Sequence, residues 1–287
     1  MNESVSLSPN SLMIDLHCHS HYSDGLHSPE ELISQSVEAG VRLLALTDHD
    51  TVAGLAALHQ ANQHASLTVI NGIELSTRWK KYDIHVVGLM IDPHNPVLIQ
   101  LNAEQNESRI KRAREIGQRL ELAGVHNAYQ KACDLAGHER VGRPHFAQVL
   151  VEEGLAIDRQ AAFKRFLGRG RAAYIPTPWL SIPDAVSGIV EAGGQAVLAH
   201  PLKYNLTRTR LHELVSEFKA AGGVGIEVVS GEMTVTQVQE MTGLALRYEL
   251  LASSGSDYHG DQVSRISLGR QRKLPLNCTP IWQQWTI

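Results

Sequence analysis

Near the start of the chain stands His17-Cys18-His19, and near its end Asp257-Tyr258-His259, two pairs of metal-ligating side chains at alternate positions and 240 residues apart. In extended backbone, residues two apart project to the same face, so each pair can aim two donors at one point while Cys18 or Tyr258 faces away. Imidazole and carboxylate together suit divalent metals such as manganese, iron or zinc, and a metal-dependent hydrolase is the chemistry they suggest. Further candidates lie between the pairs: Asp24, five residues beyond His19, then His49 in Thr47-Asp48-His49-Asp50, Glu74, His85, and His200 before Pro201. Fifteen histidines make this residue the compositional outlier.

The elements that must position these side chains read as alternating strand and helix. Strands are expected over Leu12–His17, Val41–Thr47, Thr68–Leu75 and Asp83–Ile91, with helices from Pro29 and from Thr51. That alternation implies an α/β fold with a largely parallel sheet. The first helix is well marked, with Ser28 as N-cap, Pro29 in the first turn, Glu31 completing a capping box and Gly40 ending it. From residue 95 to 181 the pattern changes to helix after helix, including a long one around Val97–Ala123 and shorter ones near Gln130, Phe146 and Phe163. Strands resume at Gln195–His200, Gly225–Ser230 and Leu250–Asp257. We therefore expect a barrel from residues 11–94 and 182–287 carrying a helical insertion subdomain at 95–181. Most candidate ligands fall at the carboxyl ends of strands, where α/β barrels gather their active sites. His85 is the exception, early in its strand.

Composition narrows the class. The chain has 287 residues, 43% hydrophobic and 20% charged, as one soluble protein with a substantial core would have. No stretch is apolar enough to span a membrane, and the polar start Met1–Asn10 lacks the regions of a signal peptide, which implies a cytoplasmic protein. Cys18, Cys133 and Cys278 are too scattered for a disulfide framework or a cysteine-rich metal site. Net charge is -4, but residues 94 to 181 hold 13 Lys+Arg against 9 Asp+Glu, while the remainder holds 13 against 21. A basic middle between acidic flanks fits an anion held near a cation-binding body, and fits an ordinary solvated surface equally well. No Walker A motif or dinucleotide fingerprint occurs.

Taken together, His17-Cys18-His19, Asp24, Thr47-Asp48-His49-Asp50, Gly72-Ile73-Glu74, Ile84-His85-Val86-Val87-Gly88, Ala199-His200-Pro201 and Asp257-Tyr258-His259 resemble, in order, the PHP (polymerase and histidinol phosphatase) family. The resemblance covers nearly the whole chain. It implies a distorted (βα)7 barrel with three divalent metal ions, manganese favoured and iron or zinc possible, at its carboxyl-terminal face. By position, it would give His17, His19, Glu74 and Asp257 to one ion, Asp24, His49 and His200 to a second, and Glu74, His85 and His259 to the third. Many relatives carry histidine where Asp24 stands. A carboxylate suits the bridging place of Glu74 because its two oxygens can each bind an ion. The implied reaction is attack on phosphorus by metal-bound hydroxide, with no protein nucleophile. Asp48 and Asp50 could orient the imidazoles or cap the helix expected at Thr51.

Within the family, Gly142-Arg143-Pro144-His145-Phe146-Ala147, Gly168-Arg169-Gly170-Arg171-Ala172-Ala173-Tyr174-Ile175-Pro176 and Glu74-Leu75-Ser76-Thr77 resemble the branch that removes the 3'-phosphate of nucleoside 3',5'-bisphosphates, above all its 5'-to-3' exoribonuclease members. The resemblance implies release of 5'-mononucleotides from 5'-monophosphorylated RNA or short oligonucleotides, with a role in trimming ribosomal RNA 5' ends, and no obligate protein partner. Arg143, His145, Arg112 and Arg171 are candidates for holding substrate phosphate, since an arginine fork suits that task. Arg143 and His145 read equally well as parts of a helix start, and Arg109, Arg112 and Arg119 as a solvated helix face. Tyr174, Phe146 and Trp179 could stack on bases, or pack in a core. The rivals are a phosphatase confined to small nucleoside bisphosphates, a histidinol-phosphate phosphatase, an amidohydrolase, and a non-catalytic metal-binding module of the kind attached to DNA polymerases.

Overall fold

The computed structural model of the chain describes residues 12–65 and 67–286. The first ten residues, read above for a signal sequence, lie outside them. The chain divides into two compact units, Met1–Ile99 with Leu180–Ile287, and Gln100–Trp179.

In the first unit, β1 (Met13–Cys18), β2 (Val41–Leu46) and β3 (Thr68–Trp79) run parallel, joined by α1 (Pro29–Ala39) and α2 (Leu55–Ala61). The start of α1 is the expected capping box: the Glu31 amide donates to Ser28 Oγ at 3.2 Å and the Ser28 amide to the Glu31 carboxylate at 2.7 Å. Gly40, at φ 79°, ends it in the left-handed region that glycine enters without strain. The second helix starts later than expected. Thr51 Oγ1 instead accepts from the Ala53 amide, and Gly54 occupies the N-cap.

Next, β4 (Tyr82–Leu89) turns back on β3 through Lys80-Lys81 and pairs with it antiparallel, Trp79 opposite Tyr82. A two-residue link permits nothing else, because a parallel return needs a crossover of a dozen or more residues. β6 (Gln195–Leu198) then lies antiparallel to β4, and β7 (Gly225–Ser230) and β8 (Leu251–Gly255) follow in parallel. The expected largely parallel sheet therefore holds at four pairings along the main path and reverses on both sides of β4. The short β5 (Leu180–Ser181) pairs with β3 off the main path. α7 (Ile182–Glu191), α8 (Arg208–Ala220) and α9 (Val235–Arg247) complete the unit.

Strand alternation sorts the core. Leu43 and Ala45 of β2 cluster with Ile14 and Leu16 of β1 on one face, whereas Leu44 and Leu46 cluster with Leu32 of α1 and Leu58 of α2 on the other. A parallel bridge between Cys18 and Tyr258 brings the first strand against the segment after the last, so the sheet is a nearly closed barrel.

The second unit contains most of α3 (Pro96–Leu122), with α4 (Ala128–Ala136), α5 (Arg143–Glu152) and α6 (Arg159–Ala162), which passes into a π-helical turn at Phe163–Leu167. It has its own core, including Ile116, Leu120, Phe146, Leu150 and Leu167, all fully buried. Among the described residues, no helix is long and apolar enough to cross a membrane.

Candidate metal centre

Barrel closure joins the two alternating pairs. The Asp257 amide donates to the His17 carbonyl at 2.8 Å, and the His19 amide to the Tyr258 carbonyl at 2.9 Å. This approach needs a glycine at 255, where a Cβ would lie 2.3 Å from that of His17. Gly25 is constrained likewise, since a Cβ there would stand 2.2 Å from the His19 carbonyl oxygen. The turn between His19 and Asp24 is tied down by the buried Asp48 carboxylate, which accepts from the Ser20 amide at 2.8 Å and from the Ser20 and Ser23 hydroxyls at 2.6 Å. Asp50 accepts from the Ser76 amide at 2.7 Å, bracing the loop after β2 against β3. These two aspartates thus hold loops in place, and the N-cap of α2 falls to Gly54 rather than to either of them.

Glu74, fully buried, is the hub. Its Oε2 lies 3.3 Å from Nε2 of both His17 and His19 and 3.0 Å from His49 Nδ1, and its Oε1 lies 2.9 Å from both His85 Nδ1 and His200 Nε2. Asp257 Oδ1 faces His17 and His19 Nε2 at 3.4 and 3.3 Å, while Asp24 Oδ1 faces His259 Nε2 at 3.3 Å and His49 Nε2 at 3.8 Å. The position of His85 is explained by strand direction. Because β4 is antiparallel, its early residues lie beside the late residues of β3, with His85 opposite Ser76.

All nine residues singled out from the sequence therefore converge, in four overlapping groups whose donor atoms lie within 4.8 Å of one another: His19, Asp24, His49 and His259; His17, His19 and Asp257; His17, Glu74 and His200; and His49, Glu74 and His85. The first ion's expected set, His17, His19, Glu74 and Asp257, agrees with these distances. The other two differ from the expectation, since His259 sits with Asp24 and His49, whereas His200 sits with Glu74 and His17 and has its ring 5.3 Å from that of His85. The two exchange places because Asp24 is carried by the turn after β1, and this turn abuts the loop of His259, whose carbonyl accepts from the Leu26 amide.

Donor directions fit cations. His17 Nδ1 lies 2.6 Å from Glu227 Oε1, a bond that needs the proton on Nδ1 and turns the Nε2 lone pair toward His19 Nε2, 3.1 Å away, and the carboxylates of Glu74 and Asp257. His259 Nδ1 lies 2.9 Å from the Asp257 carbonyl, which accepts its proton and turns Nε2 to Asp24. Lone pairs facing lone pairs are stable only with positive charge between them, and an outer acceptor on each imidazole is the usual partner of a metal-ligating histidine. Asp24 Oδ1, Glu74 Oε2 and His200 Nδ1 are buried without hydrogen-bond partners. Protons can supply the same charge. Burial opposes the charged form of His259, but Asp24 and Asp257 outweigh it and raise the group to about 9. Burial likewise opposes protonation of His17, and the carboxylates of Glu227, Glu74 and Asp257 reverse this, holding it well above its ordinary value. His19 is pushed down to about 3 by burial and by His259. Burial acts upward on Glu74, Asp24 and Asp257, yet the surrounding cationic groups hold all three well below the usual carboxylate range. Metal binding would displace the protons on His17 and His259.

The sequence reading passed over Glu227. A carboxylate within Gly225-Ile226-Glu227-Val228-Val229, five fully buried strand residues, was the available signal. It also accepts from the His200 amide at 2.6 Å. Tyr204 was missed as well; its hydroxyl donates to the Ala199 carbonyl at 2.8 Å and accepts from the His85 amide at 2.9 Å. His200 and Asp257 both adopt positive φ, 29° and 52°, a strained conformation that clusters at functional sites.

The helical unit uses its candidates differently. Arg112 and Arg109 are buried rather than on a solvated face, their guanidinium groups 4.7 and 5.1 Å from the Trp179 ring. Phe146 is core. Arg143 opens α5, and His145 Nδ1 accepts from the Gly142 amide at 3.0 Å, so this histidine helps to cap the helix. Arg171 is exposed.

Comparison with known proteins agrees with the geometry. The PHP domain model matches residues 15–163. The chain is 42% identical to a 5'-3' exoribonuclease of Haemophilus influenzae, covering 94% of this chain and 98% of the relative. It is 40% identical to the 3',5'-nucleoside bisphosphate phosphatase of Chromobacterium violaceum, covering 94% and 95%. Among solved structures, a Chromobacterium violaceum protein described as an amidohydrolase, with bound sulfate and no metal, superimposes with a TM-score of 0.90 at 40% identity, over 94% of each chain. A Bifidobacterium adolescentis protein described as a metal-dependent phosphoesterase by assignment does so with a TM-score of 0.81 at 28% identity, over 91% of this chain and 92% of that one. With its barrel, its ordered ligand set and these full-length likenesses, the chain belongs to the PHP domain family.

Proposed function

We propose that this chain is a 5'-3' exoribonuclease that releases 5'-mononucleotides from 5'-monophosphorylated RNA and also removes the 3'-phosphate of nucleoside 3',5'-bisphosphates. The observation that carries the reading is the convergence of nine candidate donors, the buried Glu74 and eight others, in a chain that aligns over 94% of its length with relatives bearing each of these names. As a class, the enzyme is a phosphoric ester hydrolase. The filled ligand set counts against a non-catalytic binding module.

Three divalent ions, manganese by preference, are the proposed complement. His17, His19, Glu74 and Asp257 would hold the first, Asp24, His49 and His259 the second, and Glu74, His85 and His200 the third. Such ions supply an activated water near neutral pH and neutralise the phosphoryl oxygens. The protein contributes the rest. Glu227 fixes the tautomer of His17, Asp48 holds the His19–Asp24 turn, and Tyr204 sets the height of β4 against the loop of His200. Both proposed substrates present a phosphate on a ribose 3' oxygen, so one centre serves both. RNA contact on the helical unit is assigned to Arg171 and Arg143, with Arg112 and His145 supporting that surface.

The test loads the protein with manganese and supplies, at equal concentration, 5'-phosphate RNA, 5'-hydroxyl RNA and a nucleoside 3',5'-bisphosphate. Mononucleotide release from the first, little from the second and phosphate release from the third are expected. Turnover of the bisphosphate alone would restrict the enzyme to a small-molecule phosphatase.

A further inference from the structure

Lys203 belongs neither to the ligand set nor to the core. It lies three residues after His200, in a single 3-10 turn, Pro201–Tyr204, whose geometry is fixed from both sides. Its amide donates to the His200 carbonyl at 2.9 Å, and the adjoining Tyr204 hydroxyl bonds to Ala199 and His85. A flexible side chain has thus been mounted on a rigid base. Its ammonium contacts Asp257 Oδ2, while the other oxygen of that carboxylate faces His17 and His19. The side chain is 51% exposed, against 9% for Asp257. It also lines a cavity of about 90 Å³ with His200, Glu227 and Ser230.

An ammonium one carboxylate away from a cation-binding centre is electrostatically costly once the centre is filled, because it adds like charge where divalent ions already sit. That cost disappears when an anion lies between them. Asp257 occupies at most one of three ammonium donors, which leaves the others for a ligand entering from the exposed side. The facing acids are accounted for: Glu227 is bonded to His17 and to the His200 amide, Glu74 faces the imidazoles, and Glu232, also lining the cavity, pairs with Arg265 at 3.3 Å.

We infer that Lys203 is a phosphoryl-binding residue of the centre, its ammonium donating to a non-bridging oxygen of the phosphate held by the cations. The inference rests on the phosphoesterase reading but not on which nucleotide is the substrate. The experiment therefore titrates inorganic phosphate into the manganese-loaded protein by calorimetry, for the parent, Lys203→Met and Lys203→Arg, with metal content measured on each sample. We expect Lys203→Met to retain its manganese and to bind phosphate about 10- to 100-fold more weakly, as loss of one charged hydrogen bond implies, with Lys203→Arg restoring most of the affinity. With any substrate that turns over, KM should rise or kcat fall by a similar factor. Unchanged phosphate affinity in Lys203→Met, or a loss of manganese that accounts for the whole effect, would make the residue a mere counter-charge to Asp257 and overturn the inference. Phosphate binding by the parent without RNA or bisphosphate turnover would defeat the proposed substrates and leave Lys203 in place.

Discussion

The two units treat buried charge in opposite ways. In the barrel, Asp24, Glu74 and Asp257 are withdrawn from solvent and point at imidazole nitrogens whose lone pairs face one another. In the helical unit, several arginines are engaged by the protein itself. Arg109 and Arg112 lie over the Trp179 ring, Arg119 donates to the Ala172 carbonyl at 3.1 Å, and Arg165 to the Leu155 carbonyl at 2.9 Å. Charge satisfied internally is structure, because it has no need of a ligand. Charge arranged so that protons or bound cations must reconcile it is a site, because folding has gathered donors that a cation can claim by displacing those protons.

The sharpest way to break this contrast is to remove the hub. Glu74→Ala should abolish manganese binding at two of the three proposed positions and lower turnover by more than about a thousandfold, beyond the 10- to 100-fold typical of outer partners. Metal analysis beside activity checks it, and full manganese occupancy in the variant would refute the bridging role. A smaller effect is expected one bond further out. Glu227→Gln keeps the shape but weakens the acceptor on His17 Nδ1, and should reduce manganese affinity or activity by about 10- to 100-fold while leaving the fold intact by circular dichroism. The smallest effect belongs to the helical unit. Arg171→Gln should leave metal content untouched, raise KM for RNA a few-fold, and lower the salt dependence of RNA binding by about one in slope, as loss of a single phosphate contact does. A metal deficit in that variant would dissolve the division of labour between the units.

The candidate ligands were readable in the sequence because strand geometry is short-range. Alternate residues share a face, so His17 with His19 and Asp257 with His259 declared themselves by spacing alone, and Glu74 stood out among apolar neighbours. His85 resisted the same reading because its usefulness depends on strand direction, and direction is settled by the two-residue turn at Lys80-Lys81, between the expected strand bounds of Leu75 and Asp83. Arg112 resisted for a related reason. Helical spacing showed which arginines share a face, but not that the face is covered, which depends on Trp179, 67 positions away in the chain.

By itself the sequence determined the α/β alternation, the candidate donors and, through their order, the resemblance to the family, since each follows from local periodicity or from residue types in order. Tertiary structure alone decided which donors lie close together. His200 and His259 exchange their expected partners because Asp24 rides on a turn that docks beside the loop of His259, and that contact is set by barrel closure between β1 and the segment after β8. It also decided which groups stand behind the ligands. Glu227 and Lys203 are unremarkable in a one-dimensional reading, and become specific only when a strand end and a turn are brought to within hydrogen-bonding distance of His17 and Asp257.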